Sequence, residues 1–179
     1  MANYLGVDLS FAKSGVAVIE VKDGKPSIKL AYLIKSDTSK ESHERIDDTI
    51  TELKYVAAKV GAEALVKEAS IIRQVSSATP VIKTHAVFEH ELVDKYRMDD
   101  VSNSTVKAWA RTVTGSDGKR NDKAMVAEAV EKYYGRKIEE IWTPRGALLD
   151  DVADAIALMT LWLEKEGVIE TKYKREKAK

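Results

Sequence analysis

The chain of 179 residues has no cysteine, three prolines, two phenylalanines and no excess of charge of either sign. Each shortage excludes something. Without cysteine there is no disulfide framework, thiolate zinc centre or cysteine nucleophile, so any metal must sit on oxygen or histidine, and a reducing cytoplasm is the expected setting. Lys plus Arg and Asp plus Glu both total 29, so the global balance gives no pull toward nucleic acid. No run approaches the roughly 18 apolar residues of a membrane span, and the N-terminus enters a strand pattern instead of a signal peptide. A soluble chain with no membrane partner is expected. The 44% hydrophobic content suits one domain, which at this length buries roughly 70% of its unfolded surface.

The stretch Tyr4 to Glu20, YLGVDLSFAKSGVAVIE, organises the rest. Leu5, Val7 and Leu9 share one face of a strand while Gly6 and Asp8 share the other, which places the Asp8 carboxylate at a strand end with little water around it. An unpaired buried carboxylate is costly, so something cationic should meet it. Read alone, Asp8 is more simply a turn residue closing a strand, and only further carboxylates at other element ends shift that reading. Val16 to Val21 reads as a second strand and Ile28 to Ile34 as a third, joined by the Asp23-Gly24 pair that favours a tight hairpin. Thr38 and Glu41 have capping-box spacing before a helix whose apolar residues are Ile46, Ile50, Leu53, Ala57 and Val60.

Ala64 to Ala69 is a short apolar strand carrying Glu68, expected beside the first strand in parallel. Thr79 and Pro80 look like the cap and first residue of a helix with an apolar face of Val81, His85, Phe88, Leu92 and Tyr96. His85 on that face packs or hydrogen-bonds; no second histidine shares its stripe. Asp100 to Val106 is a weak strand candidate, and a helix is expected from Asp122 to Tyr134, closed by Gly135. Ile138 to Trp142 reads as a short final strand, and Asp150 to Glu164 as the last helix. This order predicts an α/β fold of ribonuclease H-like type, a mixed five-stranded sheet with helices on both faces.

In LLDDVADAIALM, Asp151 and Asp154 stand three apart on a helix and project from one face, so they can share a metal. Asp150 has the position of an N-cap, and Asp151 suits the helix dipole by itself, whereas Asp154 faces Leu158 along the apolar stripe and needs a partner. With Asp8 and Glu68 they form an oxygen-ligand set suited to two Mg²⁺ or Mn²⁺ ions and to phosphodiester hydrolysis. Lys107 to Lys123 holds five basic and two acidic residues, and Lys165 to Lys179 six and three, so a positive surface exists on a neutral chain.

GVDLSFAKSGVAV, the strand ending at Glu68, VKAWARTVTGSDGKRNDKAMV and DDVADAIAL resemble, in that order, the RuvC-type Holliday-junction resolvases, over most of residues 4 to 162. The resemblance implies a ribonuclease H-like nuclease domain, set at 1–165; the basic stretch 166–179, with no apolar period after Gly167, is expected to be a disordered tail. The resemblance also implies a homodimer and divalent metal on Asp8, Glu68, Asp151 and Asp154. The activity implied is that of a crossover junction endodeoxyribonuclease, which makes paired cuts in a four-way DNA junction. Lys107 and Lys123 fall on the family's basic catalytic positions, and Arg73, Arg111, Lys119 and Arg120 are candidate DNA contacts. Where the family commonly has an aromatic wedge, this chain has Ile71. The dimer interface is expected on the helix from Pro80 to Tyr96, with Val87 and Val93 joining its stripe. Other readings are a nuclease of this fold acting on flaps, forks or RNA–DNA hybrids, and a non-catalytic module that binds branched DNA. A sugar-kinase or actin-like ATPase shares the first-strand Asp but needs a second domain.

Overall fold

The alternating pattern of the opening residues folds into an antiparallel meander: β1 (Ala2–Asp8), β2 (Lys13–Lys22) and β3 (Lys25–Lys35). Asp23 and Gly24 both take positive φ, 53° and 72°, as the predicted two-residue hairpin turn requires. A computed structural model describes residues 1–69, 75–116, 120 and 122–174, with the side chains of 75–78 excepted. Helix α1 (Ser42–Val60) leads to β4 (Ala62–Glu68), which pairs with β1 in parallel as expected. Then follow α2 (Val75–Leu92), β5 (Arg97–Val101), α3 (Asn103–Thr114), α4 (Lys123–Tyr134) and α5 (Asp150–Lys165). The sheet order is β3-β2-β1-β4-β5, with β4 and β5 also parallel.

Side-chain alternation divides the core between the two faces of the sheet. Leu5, Val7, Leu9, Val16, Val18 and Leu65 pack with α1 and with Phe88 and Leu92 of α2. Tyr4, Ala17, Ile19, Ala64 and Val66 pack on the other face with α3, α4 and α5. Helix α5 lies directly on β1 and β2 because two glycines leave room for its backbone. A β-carbon on Gly15 would stand 1.9 Å from the Asp151 carbonyl oxygen, and one on Gly6 would stand 2.6 Å from that of Ala155.

Several boundaries differ from the predicted ones. The strand expected over Asp100–Val106 ends at Val101, because the Ser102 side chain accepts from the Thr105 N–H and caps α3, whose Val106, Trp109, Ala110 and Val113 are buried at helical spacing. Ile138–Trp142 is not a strand but a 3₁₀ turn, Glu139–Ile141. The Glu131 carboxylate accepts from the Ile138 N–H and the Trp142 indole there, and Trp142 forms an isolated antiparallel bridge with Leu148. The capping box forms on Glu41 and Glu44, one step beyond the Thr38–Glu41 spacing. Helix α2 begins at Val75, so Pro80 lies inside it, and the Thr84 hydroxyl donates to the Pro80 carbonyl.

The stripe of α2 expected to form a dimer interface is spent within the chain. Phe88 and Leu92 are fully buried against the first core, and only Val93, 57% exposed, faces outward freely. Part of the tail expected to be disordered is also held: Ile169 is buried, the Lys172 N–H donates to Glu164, and Tyr173 packs on Tyr133. Residues 175–179 lie outside the described residues. Among the described residues, no helix is long and apolar enough to cross a membrane.

Candidate active site

Asp8 ends β1, Glu68 ends β4, and Asp151 and Asp154 occupy the first turns of α5, so strand order and the glycine contacts bring four carboxylates to one end of the sheet. Asp8 pairs across the ladder with Gly15, the residue against which the Asp151 backbone packs. The carboxylates act on one another strongly. Burial, a hydrogen bond with Glu68 and the charges of Glu68, Asp154 and Asp151 push Asp8 up to about 9. Asp154 is pushed up to about 7 by burial and by Glu68, Asp150 and Asp151, with Lys107 opposing. Burial and the Asp150 charge raise Asp151, while Lys123 and Lys13 pull it down. This crowding favours the protonated form of Asp8 in the absence of a cation.

Among the described residues, no group of three or more carboxylate or histidine side chains stands in metal-holding geometry. The expected two-ion site is thus not assembled as a finished ligand shell. The donor set still fits a hard dication. It consists of carboxylate oxygens alone, and its raised pKa values show more acidic groups than the site can keep ionised unaided.

The cations fall into two groups. Lys107 on α3 is half-buried, acts on Asp154 and has no ion pair among the described residues. Arg111, one turn further on the same helix face, donates to the Arg120 carbonyl. Lys123 opens α4, is exposed and pairs with Asp150, while its charge also reaches Asp151 and Asp154. That contact corrects the capping role expected of Asp150: Leu149 holds the N-cap position, and Asp150 is the first helical residue, facing Lys123. Arg120 is paired with Asp122 and Glu128. Arg73, Lys119 and Ile71 lie outside the described residues.

One cation escaped the sequence reading. Lys13 opens β2 two residues before Gly15, so strand alternation puts it on the α5 face, and its charge acts on Asp151. The turn before it is braced: Ser10 and Ser14 hydrogen-bond each other, and the Arg45 guanidinium lies 4.0 Å from the Phe11 ring centroid. The signal lay in the sequence as the spacing Asp8, Lys13, Gly15, but it acquires meaning only once α5 is seated on Gly15.

Sheet order, flanking helices and acidic strand ends together define a ribonuclease H-like fold of the RuvC type. The structure is similar to that of Thermus thermophilus RuvC in complex with Holliday junction substrate, with a TM-score of 0.68 and 18% identity over 93% of this chain and 97% of that one. It is similar to the yeast mitochondrial Holliday junction resolvase Ydc2, with a TM-score of 0.64 and 16% identity over 93% of this chain and 80% of that one. The fowlpox virus Holliday junction resolvase gives a TM-score of 0.55 and 15% identity over 92% and 99% of the two chains. No family model matches the chain, and no curated protein matches it in sequence.

Proposed function

We propose that this protein is a metal-dependent endonuclease that resolves four-way DNA junctions by paired phosphodiester hydrolysis, acting as a homodimer. The observation that carries the proposal is the convergence of Asp8, Glu68, Asp151 and Asp154 on one end of the sheet, where neighbouring acids raise Asp8 and Asp154. A module that only bound anionic DNA would gain nothing from negative charge there. The nature of the substrate rests on the fold shared with resolvases, one of them solved with Holliday junction substrate.

In this reading Asp8, Glu68, Asp151 and Asp154 hold Mg²⁺ or Mn²⁺, two ions per site, which when bound would activate a water and neutralise charge at the phosphate. A bound dication would offset the like-charge crowding that raises Asp8 and so favour its ionised, ligating form. Lys107, beside Asp154, steadies charge on the scissile phosphate, and Lys123 does so from the rim after exchanging Asp150 for phosphate. Lys13, Arg111 and Arg120 track the backbone of the strand, as would Arg73 and Lys119. Two symmetric cuts need two such sites, hence a two-fold dimer.

The test is cleavage of a synthetic four-way junction beside matched duplex, flap and RNA–DNA hybrid, with Mg²⁺, Mn²⁺ or chelator. Paired, metal-dependent nicks in the junction at a rate well above the other substrates are expected. Preference for flap or hybrid would replace the substrate, and junction binding without cleavage in either metal would remove the nuclease assignment. Sedimentation of a monomer, both free and on junction DNA, would remove the dimer.

A further inference from the structure

The two strands that deliver Asp8 and Glu68 are each tied to one helix by a buried polar side chain, at the residue next to the carboxylate. Leu9 follows Asp8, and its carbonyl oxygen lies 3.2 Å from Nε2 of His85 on α2. Lys67 precedes Glu68, and its side chain points to the opposite face of the sheet. There the Lys67 ammonium, 2% exposed, lies 3.0 Å from Glu89 of α2 and 2.7 Å from Asp100 of β5. His85 and Glu89 are four residues apart, one turn of the same helix face. Consecutive turns of α2 therefore hold the ends of β1 and β4 in register.

We propose that His85 and Lys67 are positioning residues that fix the separation of the Asp8 and Glu68 carboxylates from the reverse face of the sheet, and so tune their affinity for a divalent ion. The proposal rests on the metal-dependent reading above and adds residues that do not touch metal or DNA. His85 shares α2 with Phe88 and Leu92, which pack in one apolar core with Leu9. The imidazole buries Nδ1 with no partner among the described residues, and its contribution is the Nε2–H donated to Leu9. Burial and the nearby Lys67 charge lower the pKa of the ring and favour its neutral form, in which one nitrogen donates and the other is bare. Lys67 likewise accepts desolvation where a leucine would pack, and it joins α2 to β5 across β4.

The experiment measures Mn²⁺ binding to the full chain by calorimetry, without DNA, for wild type, His85→Phe, His85→Gln and Lys67→Met. Single-turnover junction cleavage against Mn²⁺ concentration and junction affinity in Ca²⁺ accompany it. Outer-shell partners typically change metal affinity by about 10–100-fold, so His85→Phe and Lys67→Met should weaken Mn²⁺ binding by about tenfold. Their half-saturating Mn²⁺ for cleavage should rise equally, and junction affinity should hold. Gln offers an amide donor near the place of Nε2, so His85→Gln should recover most of the loss. A purely structural role would lower the melting temperature and leave Mn²⁺ affinity unmoved. Unchanged Mn²⁺ affinity in a folded His85→Phe, or a Gln variant as weak as Phe, overturns the proposal. If His85→Phe does not fold, Lys67→Met decides on the same readout. A wild type that binds Mn²⁺ yet cuts no junction defeats the nuclease reading alone, and one that binds no Mn²⁺ defeats both.

Discussion

The two faces of the sheet bury charge in opposite ways. On the α2 face, Lys67 is almost fully enclosed, but two carboxylates meet it at 2.7 and 3.0 Å. On the α5 face, Asp8 and Asp154 are pushed up to about 9 and about 7, and the charges acting on Asp8 are all those of other acids. The first arrangement is complete within the chain. The second is complete only when a proton or an external cation is supplied. A buried charge that the fold has paired supports structure, whereas one that the fold leaves crowded by like charge costs stability and is kept where function needs it.

The sharpest way to break this contrast is to neutralise the crowded side. Asp8→Asn should lower single-turnover junction cleavage by about 10²–10³-fold or more, the scale seen when one preorganised charge-stabilising group is lost. Junction affinity should stay or tighten, since negative charge facing phosphate has been removed. Glu68→Gln and Asp154→Asn should behave alike, and cleavage by Asp8→Asn at the wild-type rate would end the assignment.

Gly15→Ala tests whether seating α5 on the sheet creates the crowding. With its β-carbon 1.9 Å from the Asp151 carbonyl oxygen, backbone must shift. Overpacking of this kind costs about 1–3 kcal/mol, occasionally more. Urea unfolding should show that loss, and cleavage should fall more steeply than global stability accounts for, because Asp151 and Asp154 move with the helix. A variant as stable and active as wild type would mean that α5 is not held this closely.

The pH dependence of the metal-free protein distinguishes the faces next. Asp8 and Asp154 have folded pKa values above the ordinary 3.8, so between about pH 4 and their folded values the native state binds more protons than the unfolded one. Stability must then fall as pH rises, with the Asp154 contribution spent by about pH 7 and that of Asp8 by about pH 9. Chelated protein should melt lower at pH 8 than at pH 5. Asp8→Asn should flatten the slope and raise the melting point at pH 8 by several degrees, at about 2–4 °C per kcal/mol for a chain of this size. A melting point that rises from pH 5 to pH 8 would contradict the crowding.

The smallest expected effects lie at the rim. Lys13→Ala should reduce the salt dependence of junction binding by about one slope unit. Asp150→Asn should free Lys123 and leave cleavage within about threefold, as an exposed ion pair contributes about 0–1 kcal/mol. Loss of cleavage comparable to that of Asp154→Asn would move Asp150 into the metal set.

Patterns confined to a few residues were legible without the fold. The Asp23-Gly24 hairpin, the closure of α4 at Gly135 and the alternation that puts Asp8 opposite Leu5 and Val7 all follow from local periodicity and turn chemistry. So did the grouping of Asp8 and Glu68 at parallel strand ends with a helix carrying Asp151 and Asp154. Strand polarity and the 3.6-residue repeat fix those directions before anything packs. Contacts across many residues were not legible. The end of β5 depended on Ser102 capping α3, and Phe88 and Leu92 of the α2 stripe were drawn into the core beside α1. Asp150 found Lys123 across 27 residues, and His85 found the Leu9 carbonyl across 76. Such pairings carry no local signature, because the residue that satisfies a buried group is chosen by which elements the core brings together. The sequence alone determined which carboxylates stand at element ends. Tertiary structure decided, through two glycines without side chains, that α5 would press them into one site.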